Sequence, residues 1–132
     1  MRAFIVELKN QPGGLAGLAE AIAERGINIT NVVGATCGGS GSLGLITNDE
    51  VSTRTVLDGG SFGYREIDLV WAALEDRPGT LAAAARRLAD AGVNIELLLP
   101  TGTEAGKISV AFGVDNASAA QQALGELATA GR

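Results

Sequence analysis

The residues of this chain best suited to chemistry lie in two short turns. Asn10-Gln11-Pro12-Gly13-Gly14-Leu15 returns 66 positions later as Asp76-Arg77-Pro78-Gly79-Thr80-Leu81, and Gly26-Ile27-Asn28-Ile29 returns at the same offset as Gly92-Val93-Asn94-Ile95. Each turn precedes an apolar helical pattern, so its backbone N–H groups are delivered to the positive end of a helix, a geometry that receives anions. Pro12 fixes φ and removes one donor, while Gly13 and Gly14 let the main chain come close to a ligand. The N–H groups of Gly13, Gly14 and Leu15 can converge on a carboxylate, with Gln11 at the rim. Asn10 and either Asn28 or Asn31 offer donors and acceptors for an α-amino group or an amide. In the second copy Asp76 stands in place of Asn10 and can take an ammonium group, while Arg77 can pair with a further carboxylate. Gly79, Thr80, Leu81 and Asn94 complete that set, and the two sites are expected to differ.

Catalytic chemistry has less to build on. The chain holds no histidine and one cysteine, so Cys37 has no imidazole to activate it and no soft metal site can be assembled. No metal and no cofactor is expected. Asp76, Glu96 and Glu66 are the acids that proton transfer would use, but spacing sets no two of them as a positioned acid and base. No catalytic residue is assigned. An enzymatic alternative of the lyase, cyclase or isomerase type would centre on Asp76, Arg77 and Glu96, and a further alternative is a protein-interaction module without a ligand. Gly39-Ser40-Gly41-Ser42-Leu43-Gly44 matches the G-x-G-x-x-G spacing, yet Leu45-Ile46-Thr47 after it reads as a strand, not the helix a dinucleotide site needs.

The elements that must hold these turns can be read from periodicity. Arg2 to Leu8 alternates, with Phe4, Val6 and Leu8 on one face, as a half-buried strand does. Leu15, Leu18, Ala19 and Ile22 recur at helical spacing until Gly26. Ile27 to Thr36 is rich in β-branched residues, Gly38 to Gly44 reads as a turn, and Leu43 to Thr47 as the returning strand. Asp49 caps a short helix through Leu57, and Phe62 to Ile67 is a fourth strand, giving the order βαββαβ. Tyr64 to Leu74 contains no Gly or Pro, so this strand is expected to run on into the first strand of the second copy. There Leu81, Ala84, Ala85 and Leu88 mark a helix, Ile95 to Leu99 and Ile108 to Val114 a hairpin, and Asp115 or Ser118 the start of a last helix. Thr129-Ala130-Gly131-Arg132 is not strand-like, so the second unit is expected to lack its last strand. An open edge needs a neighbour, which predicts a homodimer or a swapped arrangement between copies.

Charge and hydropathy narrow the partners. Ten basic residues stand against 15 acidic ones for a net charge of −5, and the positives are scattered, so no stripe tracks a phosphate backbone and nucleic acid is not expected. No apolar run approaches the roughly 18 residues of a membrane span, and the first residues carry an acid without a cleavable leader pattern. A cytoplasmic protein is the expectation, with the single cysteine in keeping with a reducing compartment.

Asn/Asp-x-Pro-Gly-x-Leu followed by Gly-(Ile/Val)-Asn-Ile at fixed spacing, found twice within βαββαβ units, resembles the ACT domain, here in tandem. The resemblance covers Phe4 to Leu127. It implies an α+β chain of two ferredoxin-like units, residues 1–67 and 68–132, with antiparallel sheets and helices on one face. It also implies a regulatory function in which a small effector, an amino acid or similar carboxylate, binds at an interface between ACT units.

Overall fold

The computed structural model describes residues 1–131. They form two compact units, the first Arg2–Glu66 and the second from Ile67 onward together with Met1. The first unit contains β1 (Arg2–Lys9), α1 (Gly14–Ala23), β2 (Ile29–Cys37), β3 (Ser40–Thr47), α2 (Glu50–Gly59) and the opening residues of β4 (Tyr64–Glu75). The second contains the rest of β4, then α3 (Thr80–Asp90), β5 (Ile95–Glu104), β6 (Lys107–Val114), α4 (Ala117–Leu124) and β7 (Ala128–Thr129). As expected for a segment free of Gly and Pro, β4 is one uninterrupted strand. Among the described residues no helix is long and apolar enough to cross a membrane.

All strand pairs with an assigned register are antiparallel. In the first unit β3 lies between β2 and β1, and the chain entering β4 lies beside β1, where the Glu7 N–H donates to the Gly63 carbonyl at 2.8 Å. In the second unit β6 lies between β5 and β4. The strand predicted to be missing there is reduced to a two-residue remnant: β7 sets Ala128 opposite Ala72 and Thr129 opposite Trp71. Two residues are all that the short apolar stretch before Gly131 can supply.

Each unit packs its helices on a single sheet face. Phe4, Val6, Leu18, Ile22, Leu45 and Leu57 form the first core, and Ala72, Ala84, Leu88, Phe112, Ala120 and Leu124 lead the second, all fully buried. The large ring changes strands between copies. In the first unit Phe4 on β1 faces Leu45 on β3, and in the second Val70 on β4 faces Phe112 on β6. A bulky and a smaller apolar residue therefore meet at the same cross-strand pair in both, and packing volume is kept while the order is exchanged.

The hairpins correct the sequence expectation. The turn between β2 and β3 is only Gly38-Gly39, since Cys37 already faces Ser40, and Ser40 to Ser42 pair with both β1 and β2. The glycines at 41 and 44 are strand residues, not turn residues. The second hairpin is longer than predicted as well, with Glu104 opposite Lys107. The last helix begins at Ala117 behind Asn116, whose side chain accepts from the Ala119 N–H at 3.0 Å. Asp115, one of the two expected starts, serves elsewhere.

The repeat also changes period within the second hairpin. Asn28 matches Asn94 at an offset of 66, whereas the helix caps Asp49 and Asn116 are 67 apart. The added residue is visible in the ladder. β2 and β3 keep one register from Asn31 to Cys37, while β5 shifts between Pro100, opposite Val110, and Gly102, opposite Ser109. Thr101 is the extra residue, accommodated as a β-bulge.

Candidate functional site

The helices fall into two kinds by how they begin. α2 and α4 are capped by side chains, Asp49 accepting from the Ser52 N–H at 3.0 Å and Asn116 doing the same for Ala119. α1 and α3 follow the two Pro-Gly turns and have no side-chain cap. Their N-cap residues are Gly13 (φ 88°) and Gly79 (φ 91°), a left-handed conformation that only glycine adopts without strain. In α1 the Gly14 N–H, expected to face a ligand, turns back instead to the Gln11 carbonyl at 3.3 Å, and no side chain caps the amides that follow it.

Each turn is tied to the tip of the neighbouring hairpin. The Asn10 N–H donates to the Gly39 carbonyl at 3.1 Å and its Nδ2 to the Gly38 carbonyl at 2.9 Å. In the second unit the Asp76 N–H donates to the Gly106 carbonyl at 3.1 Å, but a carboxylate has no donor with which to repeat the side-chain bond. At the third differing position Gly14 allows close passage: a Cβ there would stand 3.0 Å from the Lys9 carbonyl oxygen. Thr80 occupies the equivalent place and turns that approach into a bond, its hydroxyl reaching the Glu75 carbonyl at 2.7 Å and the Arg77 carbonyl at 3.2 Å.

A cleft opens beside each turn on the helix side of the sheet. The first, about 550 Å³, has Asn10, Gln11 and Leu15 at its mouth and Leu8, Val32 and Leu43 as walls. Leu15 and Val32 are 56 % and 53 % exposed, so apolar surface faces solvent there. The second, about 360 Å³, is bordered by Asp76, Arg77, Gly79, Thr80 and Leu81 and walled by Leu74, Leu98, Pro100 and Ile108. The sequence pointed to the turns but not to these walls. Aligning the copies with the offset of 67 after Thr101 finds them: Gly34 answers to Pro100 and Gly41 to Ile108, and the larger side chains narrow the second cleft.

Other expected site residues lie away from the turns. Asn28 sits ahead of β2, at the opposite end from Cys37, and nine strand residues separate it from the turn by roughly 30 Å. Its N–H donates to the Asn48 Oδ1 at 3.0 Å and its carbonyl accepts from the Asn48 N–H at 3.1 Å. Asn94 makes the same closed pair with Asp115, at 2.9 and 3.4 Å. Both asparagines fasten the strand entry through their backbone and do not join a Pro-Gly turn of their own unit. Asn31, opposite Ile46, and Glu96, in the irregularity between Ile95 and Leu97, also stand outside the clefts.

The charged candidates are engaged within the chain. The Arg77 Nε donates to the Glu75 Oε2 at 2.8 Å on the exposed rim of the second cleft, and this bond holds the Glu75 carboxyl below its ordinary range. Glu66, considered above as a proton-transfer group, takes two bonds from the Arg54 guanidinium at 2.6 and 2.8 Å. Those bonds lower its carboxyl pKa, so at neutral pH it is an ionised partner of Arg54 and not an acid. Cys37 is exposed and free. Among the described residues no group of three or more His, Cys, Asp or Glu is placed to hold a metal ion.

Comparison with known proteins places this geometry. The family model of the ACT domain matches residues 2–58. A protein from Bacteroides thetaiotaomicron superposes with a TM-score of 0.75 at 24% identity, over 93% of this chain and 85% of its own. The ligand-free regulatory subunit of aspartate kinase from Thermus thermophilus gives 0.63 at 23% over 96% and 90%, and that from Thermus flavus 0.62 at 23% over 93% and 90%. These likenesses are likenesses of fold. No curated protein matches the sequence. Residues 2–58 are thus similar to the ACT domain, and the second unit repeats the same strand and helix order.

Proposed function

We propose that this chain is a regulatory module of two ACT repeats, residues 1–67 and 68–132, that binds an amino acid or similar small carboxylate, and that it acts as a cytoplasmic homodimer without catalysis of its own. The observation that carries the reading is the pairing of an uncapped, glycine-led helix start with an apolar cleft, once in each unit, while the other two helices supply their own caps. A ligand carboxylate would accept from the Leu15 and Ala16 amides of α1. Asn10 commits its Nδ2 to Gly38, which leaves its Oδ1 as an acceptor for the α-ammonium group. The ligand side chain would lie against Val32 and Leu43. The family match over residues 2–58 and the fold shared with regulatory subunits of aspartate kinase support the same reading.

Thermal denaturation in the presence of each of the twenty amino acids tests it. A ligand bound only by the native state stabilises with the logarithm of its concentration, by about 2.7 kcal/mol at a hundredfold excess over Kd. Leu15→Asp should abolish that shift: its carboxylate occupies the anion position, while an acidic residue in the first turn favours the helix itself. A set of amino acids that all leave Tm unchanged, or a shift that survives Leu15→Asp, would refute the site.

A further inference from the structure

The floor of the first cleft lacks one side chain in the middle of a three-strand row. Gly41 on β3 lies opposite Leu8 on β1 and opposite Thr36 on β2, and all three border the cleft. Leu8 packs against the first core, which puts the row on the helix side of the sheet. Neighbouring strands run about 4.8 Å apart, so the Leu8 and Thr36 main chains stand roughly 9.5 Å from each other with only glycine between them. The Thr36 methyl leans into this gap, 3.3 Å from where a Cβ on Gly41 would be. Carbon atoms pack at about 3.5–4.0 Å, so a group gripped from both sides needs about 7–8 Å between the wall atoms, which is room for a single layer of carbon. A flat ring is one layer thick. A branched aliphatic chain, tetrahedral at its branch, is thicker.

The second unit shows what kind of group this position accepts. There the equivalent residue is Ile108, opposite Leu74 on β4 and Thr103 on β5, and its side chain packs against the second core. An apolar group therefore suits the row, and the first copy does not supply it. Among the described residues that border the first cleft, Lys9 is the one with a charge. It alternates with Leu8, so its side chain leaves the strand on the other face. A charged ligand side chain would lose hydration over Gly41 and find no partner. Above the slot the exposed side chains of Leu15 and Val32 offer more apolar surface than a methyl group can cover. An aromatic ring, which buries on the order of 150–250 Å², matches it.

With the ligand carboxylate held by the Leu15 and Ala16 amides, as proposed above, we infer that the first cleft selects an aromatic amino acid. Its ring stands edge-down on Gly41 between Leu8 and Thr36, and Gly41 is the residue that sets the preference. Ile108 closes the matching slot in the second unit, so the second cleft does not take a ring.

Isothermal titration of the intact chain with L-phenylalanine, L-leucine and L-lysine tests the selectivity. Phenylalanine should bind at least about tenfold more tightly than leucine, the scale on which an apolar pocket separates related side chains, and lysine should bind more weakly than either. Gly41→Ala, whose Cβ takes up the thickness of the slot, should bring phenylalanine down to the affinity of leucine or below it. The wild-type ranking is decisive even if that variant fails to fold. Leucine or lysine binding as tightly as phenylalanine overturns the inference while leaving the carboxylate site in place. A preference for phenylalanine that survives Gly41→Ala in folded form overturns it too. Binding by none of the three does the same, and thermal denaturation with all twenty amino acids then decides separately whether the carboxylate site stands.

Discussion

The first cleft encloses about 550 Å³ and the second about 360 Å³, although the same turn, helix start and strand pair surround each. Three positions account for the contrast. Gly34 and Gly41 leave room that Pro100 and Ile108 occupy, and Gly14 leaves open the turn that Thr80 bridges with its hydroxyl. The rims differ too, since Arg77 is already paired with Glu75 where Gln11 carries no charge. A duplicated scaffold can therefore keep its backbone frame while the side chains of one copy narrow the cleft that the other leaves wider.

The largest effects should come from the cores, which test whether the copies are equally dependent on their exchanged aromatic. Phe4→Ala and Phe112→Ala each delete a fully buried ring, and each should cost about 3–5 kcal/mol. Urea titration of both variants makes the check. A much smaller loss in one would show that its unit can collapse around the vacancy, and that exchange of the ring between strands is not packing-neutral.

Next in size is a substitution that makes the first cleft resemble the second. Gly41→Ile introduces the side chain found at Ile108, and its Cβ would stand 3.3 Å from the Thr36 methyl. Ligand affinity at the first cleft should fall roughly a hundredfold, the scale of a few misplaced methylenes in an apolar pocket. Isothermal titration reads the change. An unchanged Kd would place the ligand outside this cleft.

Much of this arrangement was legible in the residues, and the physical reason is locality. The Pro-Gly turns, the helix starts and the uninterrupted β4 follow from neighbours in sequence, where glycine, proline and periodicity act directly. What escaped depends on pairing between strands. Gly41 and Gly44 read as turn residues until the register sets them opposite Leu8 and Ile5. Asn28 repeats with the motif and so resembles a ligand residue, but its place ahead of β2 is far from the turn, and its backbone is held by Asn48. The cleft walls were hidden by the added residue at Thr101, which puts Gly41 and Ile108 out of step at the offset of 66.

The side-chain caps offer a smaller and sharper contrast. Asn116→Ala removes the only side-chain cap of α4, and about 1 kcal/mol of stability should go with it. The corresponding loss has no counterpart at α1 or α3, because neither helix has a capping side chain to delete. If a ligand supplies the missing partner at α1, the ligand-bound chain should show slower exchange of the Leu15 and Ala16 amides than the free chain. The Ser52 and Ala119 amides, already bonded within the protein, should not change.

The smallest change alters one of the three positions at which the turns differ. Asn10→Asp gives the first turn the residue of the second and removes the 2.9 Å bond from the Asn10 Nδ2 to the Gly38 carbonyl. The bond is solvent-exposed, so stability should fall by only about 0.5–1 kcal/mol, the net worth of an ordinary hydrogen bond. Binding should respond differently, because a carboxylate would then stand beside the amides that receive the ligand's own. Attraction for the ammonium group and repulsion of the carboxylate oppose each other, and the nearer charge decides the sign. The Asn10 Oδ1 is the acceptor assigned to the ammonium group, so attraction should win and affinity should rise, more at low salt than at high salt. Weaker binding by Asn10→Asp would mean that the ligand carboxylate lies nearer to residue 10 than the ammonium group does, and the assignment of its two ends would have to be reversed.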